Sequence, residues 1–299
     1  MKFPCDYHIH SRYSPEDSCT ATMQKIVDRA VSVGLRSFGV SDHLHAKINV
    51  PALEAAKIEF EATKTDADFY FGVEVSVLRE WDLEQNEKAG EKASLYGVHK
   101  GGPVDSPLAI YLPEELERRL KFEYVIGGAH WPLGAPQEQM AVIHSYHRQN
   151  MFLATHPAVD IVAHPWWWMG YWKDEKGDYP DLPWLSNFSV IPDSMHHEFA
   201  QAVIENNKIV EINASAIFLN PRYPDSFRQE YTLYLRKLKN WGVTFSLGSD
   251  AHSLETIGRT LQIADILEEI DLAPSSLWNP VNKIKLSDKK MRKNGDGIN

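Results

Sequence analysis

Seven short β-rich runs, separated by longer stretches of helical apolar spacing, constrain this chain more than any other feature. They read CDYHIH (5–10), SFGVSDH (37–43), FYFGVEVSV (69–77), YVIGGAHW (124–131), DIVAHP (160–165), IVEINAS (209–215) and TFSLGSDAH (244–252). Such alternation signals βαβ units and a parallel sheet. The first helix is the clearest: Thr20 and Thr22 are candidate caps, Ile26, Val27, Ala30, Val31 and Val33 recur at helical spacing, and Gly34 suits the stop. Pro51 opens a second helix over 51–64. Others are expected over 112–121, 138–154, 194–208, 225–240 and 253–270, with Gly242 and Ser253 as end signals.

What stands at the strand ends narrows the chemistry. His8 and His10 are two residues apart, so in a strand both point to one face. Six of the seven runs carry a His, Asp or Glu at or just past the C-terminal end: His8 with His10, then His43, Glu74, His130, His164, and Asp250 with His252. The sixth run offers Asn213. In a parallel barrel those ends open onto one face. A single strand-end histidine is ordinarily just a polar residue, but six segments repeating the pattern point to a metal cluster. Imidazoles and carboxylates without thiolates suit zinc, manganese or iron.

Composition sets the outer limits. At 299 residues and 43% hydrophobic, the chain can bury a large core. We expect one barrel domain over 1–275 and a basic, flexible tail over 276–299. A formal charge of −10 disfavours binding of long nucleic acids, which need basic surface. The two cysteines, Cys5 and Cys19, form no CxxC pair. No run of about 18 apolar residues and no signal-peptide core is visible, so no membrane contact is expected and the location expected is cytoplasmic. The sequence leaves the oligomeric state open.

The segments HIHSRYSPED, GVSDH, GVEVSV, GGAHW, VAHP and GSDAH resemble, in order, the motifs of the polymerase and histidinol phosphatase (PHP) superfamily. The resemblance spans residue 6 to about 270 and is similar in layout to the stand-alone histidinol-phosphatase-type members. It implies an α/β fold, a distorted (β/α)7 TIM-like barrel with its metal site at the C-terminal strand ends. It also implies two or three divalent transition-metal ions (Zn, Mn or Fe) and phosphate-ester hydrolysis. By motif, His8, His10, Glu74 and Asp250 would hold one ion. Glu74 would bridge to a second, held also by His130 and His164. His43 and His252 would hold a third together with Asp17, for which Glu16 is the rival.

The activity expected is therefore hydrolysis of a small phosphomonoester by a metal-activated water, with histidinol phosphate the first substrate to try. A 3′–5′ exonuclease or nucleotide phosphodiesterase is the alternative, and an amidohydrolase-like C–N hydrolase a further one. Glu74, His45 and Arg222 are the candidate catalytic residues: Glu74 as bridge, His45 as leaving-group acid or supporting partner, Arg222 as phosphate grip. Arg12 and Arg259 are rival cations. The aromatic run Trp166, Trp167, Trp168, Tyr171, Trp172 and Trp184 is expected at the basin's mouth, where it would stack a leaving group or exclude water. His144 with His147 should lie on a solvated helix face, and the polar stretch 85–107 should form a mobile loop.

Overall fold

Runs rich in Val, Ile, Phe and Tyr suit strands buried on both faces. In the computed structural model, which describes residues 3–14, 19–168 and 182–281, all seven expected runs form parallel strands. These are β1 (Cys5–Ile9), β2 (Ser37–Val40), β3 (Asp68–Ser76), β4 (Tyr124–Gly128), β5 (Ile161–Ala163), β6 (Ile209–Asn213) and β7 (Thr244–Gly248). They pair in chain order, each parallel to the next. A parallel bridge between Ile9 and Ala251 brings the last strand back to the first, where His10 N–H donates to the Ala251 carbonyl at 2.9 Å. The sheet is thus a nearly closed, seven-stranded α/β barrel, as the motifs implied.

Among the described residues eight α-helices accompany it: α1 (Met23–Val33), α2 (Val50–Ala62), α3 (Glu80–Ala89), α4 (Glu114–Leu120), α5 (Gln139–Thr155), α6 (Asp193–Glu205), α7 (Asp225–Trp241) and α8 (Ala264–Glu269). Helix α1 shows why the local pattern reads well. The Thr22 hydroxyl accepts from Lys25 N–H, Met23, Ile26, Val27 and Ala30 are buried, and Gly34 ends the helix at φ +96°. That left-handed cap is one glycine adopts without a Cβ penalty. Among the described residues no helix is long and apolar enough to cross a membrane.

Two expectations need correction. The stretch 85–107 is not simply a mobile loop: its first part completes α3, and the rest wraps the buried Arg79. That guanidinium pairs with Asp82 and donates to the carbonyls of His99 and Gly101, at 3.0 and 2.7 Å. Helix α3 has few apolar residues, so periodicity could not reveal it. The helix expected over 253–270 is broken at Gly258 (φ +88°) into a turn, a 3-10 segment (Arg259–Ile263) and α8. The last described residues pack onto the barrel. Trp278 packs edge-on against Tyr7 and Tyr124, with ring centroids 5.7 and 6.0 Å away, and its N–H donates to the Phe245 carbonyl. Residues 276–281 therefore cross the N-terminal end of the barrel, and 282–299 lie outside the described residues.

Inside the barrel, Tyr124 reaches across two strands to donate to the Tyr7 carbonyl at 2.7 Å. Its ring lies against the backbones of Gly39 and Gly72, where any Cβ would collide with it. Glycine at both positions makes room for the tyrosine.

Candidate metal centre

Because every strand runs the same way, the C-terminal strand ends deliver their side chains to one basin. Glu74, near the end of β3 and almost fully buried, is the hub. Its Oε2 lies 2.8 Å from His43 Nε2, 3.1 Å from His8 Nε2 and 3.5 Å from His10 Nε2. Its Oε1 faces His130 Nε2 at 3.0 Å and His164 Nε2 at 3.4 Å. Asp250 Oδ1 sits 3.3 Å from His10 Nε2 and 3.7 Å from His8 Nε2. His252 stacks on His10 with ring centroids 4.3 Å apart. The eight residues picked from strand ends converge. Asp17 and Glu16 lie outside the described residues.

Three sets can each place one ligand atom apiece within 4.8 Å of the others: His8, His10 and Glu74; His43, Glu74 and His130; His10, His43 and His252. Two candidate ligands carry backbone strain, His164 at φ +26° and Asp250 at φ +54°. Non-glycine residues in that region are uncommon, and such strain clusters at functional sites.

Further residues orient the cluster, and reading strand ends alone missed them. Glu211, in the middle of β6, accepts from His8 Nδ1 at 2.6 Å and from the His164 N–H at 3.0 Å. A carboxylate inside an otherwise apolar strand is the signal that could have found it. Ser76 Oγ lies between His130 Nδ1 (2.6 Å) and His45 Nδ1 (2.7 Å). Asp42 accepts from the Ser11 N–H, the Ser11 hydroxyl and the Ser14 hydroxyl, while Ser14 Oγ meets His10 Nδ1 at 3.3 Å. Such outer contacts fix ring orientation and tautomer in metal sites.

The electrostatics are those of a site built for cations. Burial pulls the His8 imidazole down, but Glu211, Glu74 and Asp250 outweigh it and hold its pKa well above the usual histidine value. Burial likewise pushes Glu74 up, yet His8, His130 and His43 hold it well below the carboxylate range. Burial pushes Asp250 up too, but His8, His10 and His252 together hold it well below the carboxylate range. Burial and the neighbouring His43 and His252 push His10 down to about 3, and burial takes His130 to about 4. Within this buried cluster His8 Nε2, His10 Nε2, Glu74 Oε2 and both ring nitrogens of His164 make no hydrogen bond. Buried polar atoms are normally paired, so ligand-type atoms converging without hydrogen-bond partners fit a bound cation.

The remaining candidates separate clearly. His45 is buried, stacked on His43 with centroids 4.6 Å apart and 5.6 Å from Trp131. Arg12 is exposed and pairs with Glu59 at 2.8 Å. Arg222 is exposed in the loop before α7, whereas Arg259 lines a cleft shared with Asp250 and His252. The break in the helix at Gly258 places Arg259 against that cleft. The aromatic run divides. Trp166 and Trp168 are fully buried, and Trp184 packs on Trp168. Trp167 faces His164 and His130, with centroids 4.9 and 6.0 Å away. Tyr171 and Trp172 lie outside the described residues. His144 is exposed, while His147 pairs with Glu198 and stacks on Trp166.

Comparison with known proteins agrees with this geometry. A "Probable phosphatase" from Acetivibrio thermocellus is 24% identical over 283 residues, covering 93% of this chain and 92% of that one. The crystal structure of a "putative histidinol phosphatase hisK" from Listeria monocytogenes superposes with a TM-score of 0.54 at 10% identity. It covers 85% of this chain and 97% of that one, and bears on the fold alone. The sequence profile of the PHP domain matches residues 6–215, which include every motif of the basin except the last, at 248–252. The chain belongs to the PHP domain family.

Proposed function

We propose that this chain is a metal-dependent phosphatase of small phosphomonoesters, with two or three divalent transition-metal ions (zinc, manganese or iron). The observation that carries the reading is the buried convergence of His8, His10, His43, His130 and His164 on the two oxygens of Glu74. His8, His10, Glu74 and Asp250 would hold one ion, and Glu74, His130 and His164 a second. His43 and His252, with Asp17 or Glu16, would hold a third. Such ions supply Lewis acidity, polarising a phosphoryl oxygen and acidifying a water.

The chain's own residues set the protons. If His130 Nε2 serves as a ligand atom, its proton sits on Nδ1 and is donated to Ser76 Oγ. The Ser76 hydroxyl then donates to His45 Nδ1, which leaves the His45 proton on Nε2. Without ligation, His130 Nε2 donates to Glu74 and the chain runs the other way. Ligation thus sets the tautomer of His45, which we assign as the hydrogen-bond donor, through its Nε2–H, to the leaving oxygen. Trp167 gives the leaving group an apolar wall beside His130 and His164.

The acidic charge of −10 favours a small ester over a polynucleotide, whose binding relies on several Lys or Arg contacts. Elemental analysis of unchelated protein, paired with phosphate release from a monoester panel that includes histidinol phosphate, tests the proposal. At least two equivalents of metal and faster turnover of monoesters than of single-stranded DNA are expected. Efficient DNA degradation with no monoester hydrolysed would sink the reading.

A further inference from the structure

An open cleft of about 350 Å³ adjoins the cluster, its walls including Trp167, Ser215, Asn220, Asp250, His252 and Arg259. That volume suits a small ligand. Among the described residues Arg259 is the one lysine or arginine lining it. Five arginines elsewhere are tied to carboxylates: Arg12 to Glu59, Arg79 to Asp82, Arg119 to Glu54, Arg228 to Asp225 and Arg236 to Glu269, while Arg29 and Arg148 donate to backbone carbonyls. Arg259 makes no ion pair among the described residues. Its Nη1 donates to Ser215 Oγ at 3.2 Å, and the Ser215 hydroxyl donates to the carbonyl of Ser249, the residue before Asp250. This strut fixes one edge of the guanidinium near Asp250 and leaves its other N–H groups for a ligand.

We infer that Arg259 is the oxyanion anchor of this cleft, gripping an oxygen of the substrate while Ser215 holds the guanidinium in place. The inference rests on the phosphatase reading. The oxygen belongs either to the scissile phosphoryl group or to a carboxylate on the leaving group, since the planar fork of arginine matches both. The position follows from the fold: Gly258 at φ +88° ends the turn after β7, and Arg259 opens the 3-10 segment that follows.

Wild type, Arg259→Gln and Arg259→Lys are compared on p-nitrophenyl phosphate, whose leaving group lacks a carboxylate, and on 3-phosphoglycerate, whose leaving group carries one. Binding of inorganic phosphate is measured by calorimetry, and melting temperature checks folding. With the phosphoryl group as target, Arg259→Gln lowers kcat/KM on both esters and weakens phosphate binding, each about ten- to a hundredfold, the scale of a charge-assisted hydrogen bond. With the leaving-group carboxylate as target, the loss falls on 3-phosphoglycerate alone. Lysine rescues only part of either loss. Should the Gln variant melt early, Arg259→Lys carries the same comparison, because it keeps the charge and loses the fork. A folded variant equal to wild type on both esters and in phosphate binding overturns the inference. If wild type binds phosphate yet hydrolyses neither ester, weaker binding by Arg259→Gln sustains the anchor while the phosphatase reading falls. A wild type that neither binds phosphate nor hydrolyses either ester overturns both.

Discussion

Glu211 touches His8 with one oxygen and the backbone of His164 with the other, so a single carboxylate orients two candidate ligands. Replacing it by glutamine keeps the shape but removes the charge that holds His8. We expect Glu211→Gln to weaken metal affinity about 10- to 100-fold, the usual cost of an outer partner. Chelator competition measures it, and unchanged affinity would refute the role. Glu74→Gln should cost more, because it alters the group facing five imidazoles. Metal content below one equivalent and a loss of kcat/KM beyond about a hundredfold are expected. Near-wild-type turnover with a full metal complement would remove Glu74 from the centre. The strand-end residues were legible because a period of two fixes which side chains share a face. Glu211 was not, since it sits mid-strand, where only its charge among Ile209, Val210 and Ile212 betrays it. Arg259 was undervalued for a different reason: its direction depends on a break in the helix that the apolar pattern of 253–270 concealed.

At the scale of elements, the barrel is held by what its strands leave out as much as by what they carry. A methyl group on Gly72 would have to displace the ring of Tyr124, which is itself pinned by its bond to Tyr7. Gly72→Ala should therefore destabilise the protein by about 1–3 kcal/mol, the cost of overpacking a core. Denaturant unfolding checks it, and adding Tyr124→Leu should recover part of the loss. Additive losses in the double variant would show that the two sites do not share the space. The seven strands could be read from sequence because β-branched and aromatic residues mark them out against flanking helices. Helix α3 could not, because polar anchors rather than an apolar stripe hold it: Asp82 accepts from the backbone and guanidinium of Arg79.

For the whole molecule, the buried imidazoles set the response to acid. His10, His130 and the remote His196 have folded pKa values of about 3, 4 and 4, each lowered chiefly by burial. An unfolded chain takes up protons at these residues below about 6.5, whereas the folded one refuses them. Stability of metal-stripped protein should thus fall as pH drops from 6.5 towards 5. Asp6 acts in the opposite sense: burial raises it to about 7, so the folded state accepts its proton first. His8, held well above the usual histidine value, acts with Asp6, but the three lowered imidazoles outweigh the two, and a lower melting temperature at pH 5 than at pH 7 is expected. An equal or higher one would contradict the balance. The floor of the barrel carries a different consequence. Trp278, Tyr7 and Tyr124 stopper the end away from the basin. Among the described residues the shaft is blind at that end, so a cation and an ester reaching its chamber would share the doorway at the other. Orthophosphate lodged there would then stand in the path of a departing ion. Added phosphate should accordingly slow the stripping of metal by a chelator in proportion to its occupancy, and a stripping rate indifferent to phosphate would mean that the ions have another exit.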